Sequence, residues 1–236
     1  MYIALTSHSS DSNITRPLLD RLARAIEDQV YNDYATLWQA AGMPVRAFDS
    51  PGDIPDDGRA APLIIFDEPD QADALGYHAM TPKGLAYGKA FWGLIRNNGG
   101  SLHDSDNSLS VTLSHETLEM VGSPYANSWY DMPDGVTEDA GELCDRVQGD
   151  SYIRSGIAVS NFLGPRAFRD GPGPYDYMGL LLTPWEVRSD PLHPGYAIRR
   201  TGGPAGDTFT VGLEKLPMWL QGIKGNRFGR FQIRMW

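Results

Sequence analysis

The residues that invite chemistry stand in one stretch, Ser114-His115-Glu116-Thr117-Leu118-Glu119. Residues four apart on an α-helix stack on one face, so this spacing sets His115 beside Glu119. Glu116 falls roughly 100° round the helix, next to that pair. An imidazole and a carboxylate at i and i+4 are good zinc ligands. A carboxylate between them suits a general base acting on water. The pattern is that of the zinc-peptidase helix, with Glu in place of the second His. A His-Glu-x-x-Glu string also arises by chance on ordinary solvated helices. Here, however, Val111, Leu113, Leu118 and Met120 make the segment apolar round most of its circumference. Ionisable groups on a buried strip need compensation, and a divalent cation supplies it.

A zinc site needs a third ligand, usually from beyond the helix. Glu142 and Asp145, in Gly141-Glu142-Leu143-Cys144-Asp145, are the candidates. Cys144 between them reads as a small buried hydrophobe. The expected ion is Zn2+, although iron is compatible with such a carboxylate-rich shell. Tyr130 or Tyr152 is a candidate to steady a developing oxyanion. His8, His78, His103 and His193 are scattered; His78 and His103 precede the motif and could approach the site in space, but a structural or solvated role outweighs a ligand role for each. No Gly-x-Ser-x-Gly elbow occurs, and neither Gly99-Gly100 nor Gly202-Gly203 forms a phosphate-cradling loop.

The elements that must position these groups can be read from periodicity. A strand is expected at residues 2–5. Thr15 or Asn13 caps a helix with Pro17 in its first turn, and apolar steps of three and four carry it to Ala41, before Gly42 and Pro44. Strands follow at 45–48, 63–66 and 84–92, the last placed at an edge beside the cleft, where an extended peptide could add as a further strand. The helix over 109–121, stopped by Gly122 and Pro124, carries the motif. The order β-α-β-β-β-α lacks the helices of a doubly wound sheet and predicts an α+β fold. After Pro124 the chain turns irregular, with short strands at 152–159, 197–200, 208–213 and 230–236. One domain over 1–236 is expected, with an α/β half (1–124) and a loop-rich β half (125–236).

Composition bounds the rest. The chain has 236 residues, 26 Gly, 17 Pro, one Cys and a net charge of −10. One Cys excludes an internal disulfide framework and multi-cysteine zinc fingers. The negative charge argues against nucleic acid and anionic membranes as partners. Lys215, Lys224, Arg227, Arg230 and Arg234 interleave with Trp219, Phe228, Phe231 and Trp236, but in so acidic a chain they read as a solvated face or a docking surface for an acidic partner. No signal peptide and no membrane span is evident, so a cytoplasmic or, if phage-encoded, virion-associated protein is expected.

Taken together, Ser114-His115-Glu116-x-x-Glu119-Met120-Val121, Ser123-Pro124, Trp129-Tyr130 and Glu142-x-x-Asp145 resemble a family of zincin-like proteins, over roughly residues 110–165. Its members include bacterial and phage proteins of unassigned role, and the pattern is similar to plant phosphate-induced (exordium-like) proteins. The resemblance implies a metallopeptidase-like fold: a sheet, a backing helix and an active-site helix. It implies a zinc metallopeptidase with His115 and Glu119 as ligands, Glu116 as base, and a peptide or protein substrate. The alternative is a non-catalytic structural or binding protein on the same scaffold, such as a virion or assembly component that meets its partner through the C-terminal half. An open cleft at the ligands favours the enzyme, and a cleft filled by the chain's own loops favours the structural role.

Overall fold

A computed structural model of the chain describes residues 1–71, 74–81, 84–123, 128–189, 194–212 and, for the backbone, 233–235. It is a mixed α+β structure with several sheets and few helices. The strands are β1 (Tyr2–Ser7), β2 (Val45–Ala47), β3 (Ala60–Phe66), β4 (Gly76–Met80), β5 (Ala86–Phe91), β6 (Trp129–Asp131), β7 (Thr137–Ala140), β8 (Ser151–Arg154), β9 (Ile157–Ser160), β10 (Ala197–Thr201), β11 (Thr208–Val211) and β12 (Ile233–Met235). The α-helices are α1 (Arg16–Asp28), α2 (Ala35–Trp38), α3 (Trp92–Asn97) and α4 (Leu109–Gly122). None of them is long and apolar enough to cross a membrane.

The main sheet runs β12-β4-β5-β3-β1-β2. β2, β1, β3 and β5 are parallel, whereas β4 and β12 run antiparallel to their neighbours. Successive side chains of a strand point to opposite faces. Ile3, Leu5, Leu63 and Ile65 therefore share one core with Leu19, Leu22 and Ile26 of α1 and Leu109 and Leu113 of α4. Tyr2, Ala4 and Ala60 cluster separately with Phe48 and Ile54. The same main core takes in Leu143, Val159, Phe162 and Leu181 from the irregular half. A second sheet, β11-β10-β7-β6, is antiparallel throughout, and β8 pairs with β9 as a hairpin.

Several expectations are corrected. The strand expected at 84–92 lies inside the sheet: β5 is bonded on one side by β3 and on the other by β4, so it offers no edge for an added peptide. Trp92 belongs to α3. β4 is an additional strand, so the first half carries five strands before α4. The helix expected to reach Ala41 is interrupted. Gln29–Tyr34 forms a π-helical stretch, and the chain leaves α2 at Gln39 in the left-handed conformation (φ 52°), before Gly42. The widened turn accommodates buried polar contacts: Gln29 Nε2 donates to Ser160 O (2.8 Å), and Asp33 accepts from the Tyr152 and Tyr177 hydroxyls (2.8 and 2.9 Å). Tyr152–Val159 is a hairpin, not one strand, because Ser155 (φ 50°) and Gly156 (φ 75°) supply the paired positive-φ residues of a two-residue turn. The basic, aromatic stretch from Lys215 to Arg230 lies outside the described residues, as do Pro124 and His193.

One close approach fixes how β4 meets the motif helix. A Cβ on Gly76 would lie 2.7 Å from Thr112 Cγ2 and 2.9 Å from both Glu116 Oε1 and the Lys89 carbonyl. In the next strand, Gly88 faces His78 and would meet Leu63 and Met120 in the same way. The two glycines let α4 sit close against the sheet. Gly76→Ala is expected to cost about 1–3 kcal/mol of stability through overpacking. Chemical denaturation of the two chains checks this, with a lowered midpoint at unchanged slope as the expected result.

Candidate metal centre

Helix α4 starts at Ser108, whose hydroxyl accepts from Val111 N (3.4 Å), and it is buried from Leu109 to Met120. Its polar residues are tied to β9: Ser110 Oγ donates to Ala158 O (2.6 Å), and Ser114 Oγ accepts from Ser160 N (2.7 Å). This leaves the strip expected from the sequence. His115, Glu116 and Glu119 are each 0% exposed. His115 Nε2 lies 3.1 Å from Glu119 Oε1, as the i, i+4 spacing predicts.

The loop after β7 brings in the downstream carboxylates. Asp145 Oδ1 is 3.4 Å from His115 Nε2, and Glu142 Oε2 is 3.6 Å from Nε2 of His78. The Cys144 amide donates to Glu119 Oε1 (3.2 Å). The Cys144 sulfur joins His115 and Glu119 in a set whose ligand atoms all lie within 4.8 Å of one another. Cys144 is a fully buried member of the main core, as the sequence reading has it, and its sulfur also lies in this group of candidate ligand atoms. The loop is anchored from behind. Arg146, 1% exposed, donates to Ala167 O (3.2 Å) and Glu186 O (3.4 Å), and its guanidinium lies 4.6 Å above the Phe168 ring. Tyr196 N donates to the Asp145 carbonyl (3.0 Å). For a cation held by this cluster, loss of the Arg146 anchor in Arg146→Ala would weaken binding about 10–100-fold, the usual cost of removing an outer support. Competition against a chromophoric chelator measures this.

The sequence left one feature as an outweighed alternative and missed another. His78, 1% exposed, sits on β4. Tyr77 and Ala79 alternate into a separate cluster, while the His78 ring faces α4 with Nδ1 3.3 Å from Glu116 Oε2 and 3.3 Å from Glu119 Oε2. The only available signal was its place two residues after Gly76 in a short strand. The tyrosine at the centre is Tyr196, which hydrogen-bonds Asp145. Of the two expected tyrosines, Tyr152 directs its hydroxyl to Asp33 and Gln29, and the Tyr130 ring stacks on Phe168 (4.2 Å between centroids). Neither is in the ligand cluster.

The electrostatics follow from burial and crowding. Burial disfavours a charged His115, but Glu119 and Asp145 outweigh it and hold the imidazole at about 10. Burial likewise works against Glu119, and His115 and His78 overcome it to bring the carboxyl down to about 2. Burial, reinforced by Glu119, pushes Asp145 up to about 7 and Glu142 well above the carboxylate range. Burial also raises Glu116. Several ligand atoms have no hydrogen-bond partner, among them His115 Nε2 and Nδ1, His78 Nε2, Glu116 Oε1 and Glu119 Oε2. Buried groups of this kind are normally satisfied, so unpaired His and carboxylate atoms gathered in one cluster fit a bound cation.

No family model matches the chain, and no curated protein or solved structure is significantly similar to it.

Proposed function

We propose that the chain is a zincin-like, zinc-dependent hydrolase of peptide bonds, with His115, Glu119 and Asp145 holding the ion. The observation that carries this reading is the approach of Glu119 Oε1 (3.1 Å) and Asp145 Oδ1 (3.4 Å) to His115 Nε2 in the fully buried interior, where the imidazole nitrogen and the Asp145 oxygen have no hydrogen bond. The scaffold reading is supported by the sheet order, in which an antiparallel strand, β4, lies beside the motif helix. A bound zinc ion supplies Lewis acidity toward a carbonyl oxygen and toward water. Glu116 takes the proton of the attacking water at Oε1, the oxygen that no donor engages. His78 Nδ1 lies 3.3 Å from the other oxygen, Oε2. The raised pKa of Glu116 suits it to keep the proton and deliver it to the leaving amine. Tyr196 steadies Asp145.

One observation favours a second reading, a structural ion without turnover: every ligand side chain is closed off from solvent, Glu142 being the most exposed at 5%. The same experiment separates the two. Zinc content and cleavage of a mixed peptide library are measured for the wild type, Glu116→Gln and His115→Ala. The hydrolase predicts at least one zinc ion per chain retained but cleavage lost, by about 100-fold or more, in Glu116→Gln, the range of general-base contributions. Zinc retained with no cleavage in the wild type rejects the hydrolase and leaves the structural ion.

A further inference from the structure

We infer that the centre holds two divalent cations bridged by Glu119. The inference rests on the metal-centre reading above and extends it to the other side of that carboxylate. The two oxygens of Glu119 face different partners. Oε1 lies 3.1 Å from His115 Nε2 and accepts from the Cys144 amide at 3.2 Å. Oε2 points away from them, 3.3 Å from His78 Nδ1, and has no hydrogen bond. Each oxygen therefore belongs to its own set of donors. One set comprises His115, Glu119 and Cys144, with Asp145 3.4 Å from the imidazole. The other comprises His78, Glu116 and Glu119. Within each set the three grouped ligand atoms lie within 4.8 Å of one another, and Glu119 alone is common to both. Ligand bonds of about 2.0–2.3 Å let one zinc ion span one such set.

Charge is compatible with a pair. Glu116, Glu119, Glu142 and Asp145 are all at most 5% exposed, and two divalent ions cancel their four formal negative charges when every carboxyl is ionised and both imidazoles are neutral. Arg146, the buried cation next in sequence, turns instead toward Asp139 and Phe168. Glu142 completes the second position from outside. Its Oε2 is 3.6 Å from His78 Nε2, so it orients the ring through the remote nitrogen and leaves Nδ1 to the cation. Glu116 binds through Oε2 and keeps Oε1 for proton transfer. The donor set of four carboxylates and two imidazoles is that of a carboxylate-bridged pair, the arrangement in which two cations about 3.5–4 Å apart clamp both oxygens of a displacement.

The test is stoichiometry on the full chain. Metal-free protein is loaded with zinc, desalted and analysed by mass spectrometry of the metal. Two zinc ions per wild-type chain and one per His78→Ala chain are expected. One ion in both overturns the bridged pair and leaves the single-ion centre standing. No ion in the wild type overturns both. Because His78→Ala removes a buried side chain and can misfold, the wild type is also loaded with manganese(II) and examined by electron paramagnetic resonance. A spin-coupled spectrum is expected, and an uncoupled spectrum at full loading overturns the pair.

Discussion

Glu119→Ala should retain no zinc after desalting, under conditions in which the wild type keeps its full complement. Glu119 is the hub of the centre: it approaches His115, His78 and the Cys144 amide through its two oxygens. Among the four carboxylates of the cluster it is also the one that its neighbours hold well below the ordinary range, at about 2, so at neutral pH it stands ready as an anion. Removing an outer support of a metal site costs about 10–100-fold in affinity, and losing a shared direct ligand should exceed about 100-fold. Glu119→Gln preserves volume and one oxygen but removes the charge, and it should fall between wild type and Ala. If Glu119→Ala binds zinc as tightly as the wild type, the ligand assignment is wrong.

The second large effect is on stability. A ligand that binds only the folded chain, at a thousandfold over its Kd, adds about 4 kcal/mol. At about 2–4 °C per kcal/mol for a chain of this size, zinc loading should raise Tm by about 8–16 °C over the chelator-treated protein. The gap should widen with pH, and the sign follows from the buried groups. Asp145 has its folded pKa raised to about 7, above the unfolded value, by burial and by Glu119. Its contribution to the metal-free fold is therefore complete below the ordinary carboxylate range and is lost as pH rises through about 7. His115, raised to about 10 despite its burial, contributes below its ordinary value and loses that contribution as pH climbs toward 10. Both act in one direction, so the metal-free Tm should fall from pH 5 to 8. Zinc competes better as the ligands lose their protons, so the loaded form should be spared. Melting curves with and without chelator across this window check the trend, and Asp145→Asn should flatten the metal-free slope. A metal-free Tm that rises steadily over the window contradicts the buried-charge account.

The parts of the centre that lie on one helix were legible in the sequence, because helical spacing alone sets His115 beside Glu119 and Glu116 next to them. The apolar circumference of α4 also foretold its burial. Asp145 and Glu142 could be named as candidates from proximity in sequence and chemistry, but only tertiary structure assigns one to His115 and the other to His78. His78 could be named as able to approach the site but not placed there, for a physical reason: β4 has five residues, begins with a glycine and carries too few apolar positions to register as a strand. Its mate β5 was read as an edge because β4 was missed. Tyr196 enters through a backbone bond to Asp145 from a segment without periodicity, and no local pattern marks it. The π-helical stretch was invisible to apolar stepping, which Leu22, Ile26, Val30 and Tyr34 satisfy in regular steps of four; the break answers to Gln29 and Asp33, whose partners lie more than a hundred residues away.

Anomalous diffraction from zinc-loaded crystals of the full chain, recorded either side of the zinc edge, bears most directly on the metal centre. The expected result is an edge-dependent peak bounded by His115, Glu119 and Asp145, absent from crystals of His115→Ala. A zinc-saturated crystal with no peak among those three side chains would contradict the account.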